Sequence, residues 1–305
     1  MQTVGQQDLI GVVGLGLLGR GIAACFLLHG FRVVALTKDG APGYAAARQY
    51  IERAAAEYLA HAGQDAEAAK DWPERFVEAT GWEALAGCGF IVESVTEDLD
   101  TKQEVFDALE AVVDPAVPIA SNTSALPISL LQQSRRHPGR FLGMHWAEPA
   151  HATRFLELIR GAATADAALE RAAELARRLD KDPCLVQRDV PGFIVNRLGY
   201  AMYREAVHLL ETGVADVETI DRSFRNACGL WASLCGPFRW IDITGGPGLY
   251  ARAMRGVLPT LNNSPELPPT LENPPESFYR YAPGEVEQWH EQLHEQAWRL
   301  LNKKS

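Results

Sequence analysis

His145 and Glu157 are the residues whose types and placement most readily do chemistry. His145 follows a short apolar run, Phe141-Leu142-Gly143-Met144, and Glu157 lies inside a second one, Phe155-Leu156-Glu157-Leu158-Ile159. An ionised carboxylate within such a run is expensive unless something pairs with it. A histidine at the end of a neighbouring strand supplies that partner. The carboxylate would then fix the ring's tautomer and favour its protonated form, which makes the imidazole a general acid–base. Taken alone, the same two residues also read as a solvated loop histidine and a strand-edge acid. What decides between these readings lies elsewhere in the chain.

A second group of candidates precedes them. Gly14, Leu15, Gly16, Leu17, Leu18 and Gly19 form a G-x-G-x-x-G turn directly after a β-prone run over 9–13. A helix is expected over 21–28 and a further strand over 31–36, so the context is the strand, glycine turn, helix and strand of a dinucleotide site. Gly14 allows the tight turn, Gly16 lets the backbone approach a pyrophosphate, and Gly19 lets the helix pack on the strand. The helix start offers unpaired N–H groups and a positive dipole end to that phosphate. The second strand ends in Thr37, Lys38 and Asp39. Thr37 cannot repel a 2′-phosphate, Lys38 could attract one, and Asp39 offers an acid for the ribose if the turn is displaced. The choice between NAD and NADP stays open.

The elements that must position these residues alternate. Helices are expected over 43–60, 99–113, 128–133 and 167–179, and strands over 90–95, 118–120, 141–144, 155–159 and 183–186. Such alternation implies a doubly wound α/β domain with a parallel sheet, whose ligand crevice lies beyond the C-terminal strand ends. The glycine turn, Glu97, Ser124 and His145 all fall at such ends. From Asp189 onward strand alternation stops, and helices are expected over 193–210, 218–227, 239–255 and 285–301. This predicts a dinucleotide-binding domain over 1–187 and a helical domain over 188–305. The Pro- and Asn-rich segment 258–283 is expected as an extended excursion. His290 and His294 are one helical turn apart on a Glu-rich helix, and are read as a solvated face, with no metal assigned.

Composition sets the class. The 305 residues are 47% hydrophobic and 22% charged, with a formal charge of −10. That charge argues against nonspecific nucleic-acid binding and against docking on anionic membranes. Five scattered cysteines without a C-x-x-C pair suit reduced thiols in a cytoplasmic protein. The opening residues MQTVGQQDLI lack the pattern of a signal peptide, and no apolar run is long enough to span a bilayer. A soluble, cytoplasmic protein is expected.

Six motifs in order then resemble the 3-hydroxyacyl-CoA dehydrogenase family, including its carnitine dehydrogenase and gulonate dehydrogenase/lambda-crystallin branches. They are GLGLLG at 14–19, VESVTEDLDTK at 92–102, SNTS at 121–124, GMHWAEP at 143–149, FLELI at 155–159 and DVPGFIVNR at 189–197. The resemblance implies a Rossmann-like domain followed by an all-helical, 6-phosphogluconate dehydrogenase-like domain that builds a homodimer. It implies that His145 is the catalytic histidine and Glu157 the acid that orients it. Ser124 matches the serine near substrate and nicotinamide, and Asn196 the asparagine supplied by the helical domain. Glu97 and Lys102 match positions that help hold the dinucleotide, with Asn122 of SNTS beside them. The absence of lysine from 196–210 counts against the 6-phosphogluconate-like enzymes, which work through a lysine on the interdomain helix.

Several departures bear on the substrate. Glu148 stands where the family's histidine loop usually has asparagine before its proline, so a carboxylate is expected near the nicotinamide. Trp146, His151 and Arg154 also differ from the usual residues of that loop. The serine and lysine with which the acyl-CoA enzymes touch CoA are missing from 43–60, with Arg48 and Arg53 as candidate replacements. The Lys-Thr-Gly-x-Gly segment of those enzymes is absent too. The first expectation is interconversion of an L-3-hydroxyacyl thioester and its 3-oxo form, as in fatty acid metabolism. The second is the same chemistry on a free hydroxy acid of the carnitine or gulonate kind, with Arg154 as a bidentate carboxylate anchor. The third is a noncatalytic, crystallin-like dinucleotide-binding protein.

Overall fold

The computed structural model describes residues 8–61 and 67–301. The order along the sheet is β3-β2-β1-β4-β5-β6-β7-β8. Its strands are β1 (Leu9–Val13), β2 (Arg32–Leu36), β3 (Phe76–Glu78), β4 (Phe90–Glu93), β5 (Ile119–Ser121), β6 (Phe141–His145), β7 (Phe155–Ile159) and β8 (Asp182–Val186). β4, β5 and β6 are buried along their whole lengths. Sheets covered on both faces need such near-continuous apolar runs. Helices α1 (Leu17–Leu28), α2 (Gly40–His61) and α4 (Asp166–Arg178) cover one face, and α3 (Leu99–Val112) covers the other. On the first face Ile10, Val12, Leu142, Met144, Leu156 and Leu158 join one core cluster with Phe26 and Ile51. On the second, Val13, Ile91, Ile119, Phe141 and Ile159 pack with Phe106 and Leu109.

The sheet is not wholly parallel, which corrects the expectation. β6 and β7 pair antiparallel, with β8 parallel to β7. Only the segment 146–154 joins β6 to β7, too short for the crossover that parallel neighbours require. The three-residue edge strand β3 pairs with β2 and was not anticipated, because so short a run carries no periodicity.

Contacts divide the chain into two compact units. The first holds the described residues up to Ile194 together with those from Glu291 onward, and the second is Val195–His290. The last helix therefore ends in the first unit and does not belong wholly to a helical domain over 188–305. Trp298 explains this: it is 2% exposed, lies edge-on to Tyr58 at 5.8 Å and stacks on His61 at 5.2 Å.

The second unit contains α5 (Val195–Glu211), α6 (Val217–Ala232), α7 (Pro237–Ile243) and α8 (Gly246–Val257), with α9 (Glu285–Leu301) running from it into the first unit. The single helix expected over 239–255 is two, broken where Gly245 and Gly246 take φ of +120° and +79°. Side chains rarely adopt such angles and glycine does so freely. The segment 258–283 holds a 3₁₀ turn (Leu258–Thr260) and one short helix (Pro269–Glu272), and is otherwise irregular, as its composition suggests. Among the described residues no helix is long and apolar enough to cross a membrane.

Candidate active site

The glycine turn leaves β1 at Gly14, whose φ is +92°. A Cβ there would stand 2.4 Å from the Ser94 carbonyl oxygen, and one on Gly19 would stand 2.0 Å from the Gly14 oxygen. Both glycines are therefore demanded by packing. Gly16 differs, since a Cβ would meet nothing within 4 Å. Gly16 is also the N-cap of α1 and provides no side-chain cap, so the first N–H groups of the helix have no side-chain acceptor there. Leu15 is buried beneath the turn, while Leu17 is exposed and Leu18 half-buried. Open space over Gly16 beside an uncapped helix start fits a dinucleotide pyrophosphate. At the end of β2, Thr37 is half-buried and accepts the Asp39 N–H at 3.3 Å, while Lys38 and Asp39 are exposed.

Behind the turn lies a buried charge network. Lys102, fully buried, donates to Glu93 Oε1 at 2.7 Å and lies 3.4 Å from Glu97 Oε2. Glu93, also fully buried, accepts the Val95 N–H at 2.7 Å and the Ser121 hydroxyl at 2.5 Å. Glu97 Oε1 gathers the loop after β5, accepting from the Thr123 hydroxyl at 2.5 Å and from the Ser124 and Ala125 amides at 2.9 Å each. Burial pushes the Glu97 carboxyl up, but these hydrogen bonds and the charge of Lys102 outweigh it and hold its pKa below the usual range. Lys102 and Glu97 thus shape the loop that carries Ser124. Asn122 joins the neighbouring strand ends, donating to the Ser94 hydroxyl at 3.1 Å and accepting the Trp146 N–H at 3.0 Å. Glu93 was missed in the sequence. Its signal was an acid ending the apolar run Phe90-Ile91-Val92, the pattern already noticed for Glu157.

The structure brings His145 and Glu157 together. They sit opposite each other in the β6–β7 ladder, with His145 Nδ1 2.9 Å from Glu157 Oε2. Both are nearly inaccessible, at 5% and 1%. Glu157 Oε1 accepts the Ile194 N–H at 3.1 Å. Phe155 and Phe193 flank the imidazole at 5.8 and 5.7 Å. Phe193 reaches it from a turn in which Gly192 and Phe193 have φ of +76° and +51°. With Nδ1 engaged by a carboxylate, Nε2 is the ring nitrogen left to meet a substrate proton.

Other expected site residues are placed differently. Glu148 Oε1 accepts the Tyr50 hydroxyl of α2 at 2.7 Å, while its Oε2 is buried without a hydrogen-bond partner. Burial, and then the adjacent Glu148 charge, raise the Tyr50 phenol above its ordinary pKa. Arg154 precedes β7 and has the pleat parity of Leu156 and Leu158, opposite to Glu157. Its Nε is buried without a hydrogen-bond partner and its charge reaches Asp180, so its place is the far face of the sheet from the His145–Glu157 pair. Arg48 is held by Glu78 at 2.6 Å and lies over the Phe76 ring. Asn196 stands in the first turn of α5, in the second unit. His294 is not on a solvated face: it bonds Glu57 at 2.9 Å.

The sheet and its glycine turn are those of a dinucleotide-binding oxidoreductase. The chain belongs to the 3-hydroxyacyl-CoA dehydrogenase family: residues 9–190 match that family's NAD binding domain and 192–269 its C-terminal domain. It is accordingly an NAD-dependent oxidoreductase of that family. It is 32% identical to 5-formyl-3-hydroxy-2-methylpyridine 4-carboxylate 5-dehydrogenase of Mesorhizobium japonicum over 90% of this chain and 88% of that one. It is 34% identical to L-carnitine dehydrogenase of Streptomyces griseus over 83% of this chain and 75% of that one. With 3-hydroxybutyryl-CoA dehydrogenase of Bradyrhizobium diazoefficiens it shares 35% identity over 71% of this chain and 73% of that one. A crystal structure of the pyridine carboxylate dehydrogenase, described as an NAD+ dependent dismutase, superposes with a TM-score of 0.87 at 26% identity. That match covers 98% of this chain and 99% of the other.

Proposed function

We propose that this protein is an NAD-dependent dehydrogenase of a small free carboxylic acid bearing a CH–OH group, rather than of a CoA thioester. The observation that carries the reading is the TM-score of 0.87 with the pyridine carboxylate dehydrogenase over 98% of this chain. The identity with L-carnitine dehydrogenase supports the same substrate class. So do the absent Lys-Thr-Gly-x-Gly segment and the commitment of Arg48 to Glu78 rather than to a ligand. An aldehyde enters the same chemistry as its hydrate, because a gem-diol also presents a CH–OH. The thioester reading, placed first on sequence grounds, keeps one specific support in the identity with 3-hydroxybutyryl-CoA dehydrogenase.

His145 takes the hydroxyl proton through Nε2 during oxidation and returns it during reduction. Glu157 holds the ring through Nδ1 and stabilises the imidazolium formed in between. Ser124, presented by the loop that Glu97 gathers, hydrogen-bonds the substrate oxygen and positions the reacting carbon. Bound NAD supplies the hydride acceptor.

The protein would work as a cytoplasmic homodimer. Among the described residues of α6, α7 and α8 none is buried, and Leu230, Leu234 and Phe238 are 72–83% exposed. An apolar surface of that kind marks an association face. Its five free cysteines, of which Cys184 is exposed, suit a reducing compartment.

The deciding experiment compares L-3-hydroxybutyryl-CoA, free L-3-hydroxybutyrate, L-carnitine, L-gulonate and 5-formyl-3-hydroxy-2-methylpyridine 4-carboxylate, each with NAD and with NADP. Turnover of at least one free acid with NAD, at a kcat/KM well above that of the thioester, is expected. Turnover of the thioester alone would overturn the substrate class.

A further inference from the structure

Away from the His145–Glu157 pair, three distant segments bring one ligand atom each to a common point. Glu57 comes from α2, His151 from the loop between β6 and β7, and His294 from α9. Glu57 Oε2, His151 Nε2 and His294 Nδ1 all lie within 4.8 Å of one another. Glu57 Oε2 is 3.0 Å from His151 Nε2 and 2.9 Å from His294 Nδ1. The site is walled on one side by Trp298, whose ring is 6.2 Å from that of His151. His151 is buried, while Glu57 and His294 are partly exposed and leave one side open to solvent.

Three ligand atoms from distant segments converge on one point, and a second layer of contacts orients the buried one. The Tyr50 hydroxyl has one proton, and it faces Glu148 Oε1 at 2.7 Å. The same oxygen is 3.4 Å from His151 Nδ1 and, having given its proton to Glu148, can only accept there. Nδ1 is then the donor toward Tyr50, and Nε2 points at the Glu57 carboxylate oxygen 3.0 Å away. That contact holds a cation, either the second proton of an imidazolium or a metal ion in its place. Glu148, Tyr50 and His151 also form the outer-shell chain that orients metal-ligating histidines elsewhere.

We propose that Glu57, His151 and His294 bind one divalent ion of zinc-like, borderline softness, which ties α2 and the C-terminal helix to the loop following His145. Two imidazoles and a carboxylate, with a fourth position open to water, are a donor set suited to such an ion. Tetrahedral bonds of about 2.0–2.1 Å separate donor atoms by about 3.3 Å. The two contacts to Glu57 therefore need to open by a few tenths of an ångström, and the two histidine nitrogens, now within 4.8 Å, need to reach the same separation. Arg53 reaches His294 electrostatically and opposes a cation there, but Glu57 and Glu148 reach it too, so two carboxylates face one guanidinium.

The test uses the full chain, free of any affinity tag, stripped with a chelator and titrated with Co²⁺ and then Zn²⁺. One equivalent of Co²⁺ should give the visible absorption of a tetrahedral site, and Zn²⁺ should displace it and raise Tm. Glu57→Gln and His294→Gln should each weaken binding by more than about tenfold, and Tyr50→Phe by roughly tenfold through the outer shell. Tyr50→Phe removes one hydroxyl and keeps the ring, so it decides the matter even if a ligand variant fails to fold. Three results would each overturn the proposal: no Co²⁺ absorption, no rise in Tm at millimolar Zn²⁺, or uptake unchanged in His294→Gln and Tyr50→Phe.

Discussion

His145 and Glu157 are register partners in the antiparallel β6–β7 pair, and their side chains meet at 2.9 Å on the face opposite Met144 and Leu158. The ladder sets this geometry, and no flexible loop intervenes. A slip of one residue in either strand would turn that strand's member of the pair to the other face, so the register that buries the core also assembles the pair. The Ile194 amide on the second carboxylate oxygen completes the hold.

Replacing His145 with Gln should lower kcat by about 10²–10⁴-fold, the range expected when a positioned general base is lost. NAD affinity should change little, because the glycine turn lies at the end of a different strand. Steady-state rates and a fluorescence titration with NAD separate the two effects. A variant within threefold of the wild-type rate would remove His145 from the chemistry.

Glu157→Gln keeps an oxygen for the Ile194 amide and loses only the charge. Turnover should fall by up to about 10⁴-fold, as when the orienting acid of a histidine-based site is neutralised. KM should move far less than kcat, since Glu157 touches the imidazole rather than the substrate. A rise confined to KM would contradict this assignment.

The two kinds of glycine in the turn should separate experimentally. Gly16→Ala adds a methyl where nothing lies within 4 Å, so the apoprotein should keep its Tm. The same methyl occupies space needed for close approach of a pyrophosphate, and NAD binding should weaken at least about tenfold. Gly14→Ala meets backbone at 2.4 Å with φ at +92°, and should be destabilised before any ligand is added. Thermal melts with and without NAD read both.

Much of this was legible because it is local. The glycine turn shows its purpose within six residues, and the acid inside Phe155-Leu156-Glu157-Leu158-Ile159 announces a buried partner. What stayed hidden depends on tertiary neighbours. The antiparallel turn of β7 follows from the length of a loop, and the alternation of strands and helices does not encode it. Arg154 looked like a ligand anchor until the pleat put it on the far face. His294 looked solvated because its partner Glu57 is 237 residues away in sequence. Helical periodicity shows which face is polar, but it does not show which polar residue is covered by another segment.

Lys102 is the residue whose loss should cost the fold most among the site's charges. Lys102→Met preserves the stem but leaves Glu93, fully buried, with only a hydroxyl and an amide as partners. Breaking a buried pair in that way costs about 3–5 kcal/mol. Urea unfolding at neutral pH should show it as a lower midpoint with an unchanged slope. A loss below about 1 kcal/mol, the worth of a surface pair, would mean that the charge is not needed there.

Glu97 makes the corresponding prediction for acid. Its folded pKa is depressed: burial opposes the charge, but the Thr123 hydroxyl, the Ala125 and Ser124 amides and Lys102 favour it more strongly. A depressed carboxyl contributes stability at pH values above its unfolded pKa of about 4.3, and loses it as pH falls through the folded value. Glu97→Gln should therefore be less stable than wild type at neutral pH. The two urea midpoints should converge as pH drops below the ordinary carboxylate range. Because Glu97 gathers the loop carrying Ser124, the variant should also raise KM at neutral pH, where the wild-type carboxylate is ionised. Parallel midpoints from neutral pH down to pH values where wild type unfolds would show that the carboxylate is not the group responsible.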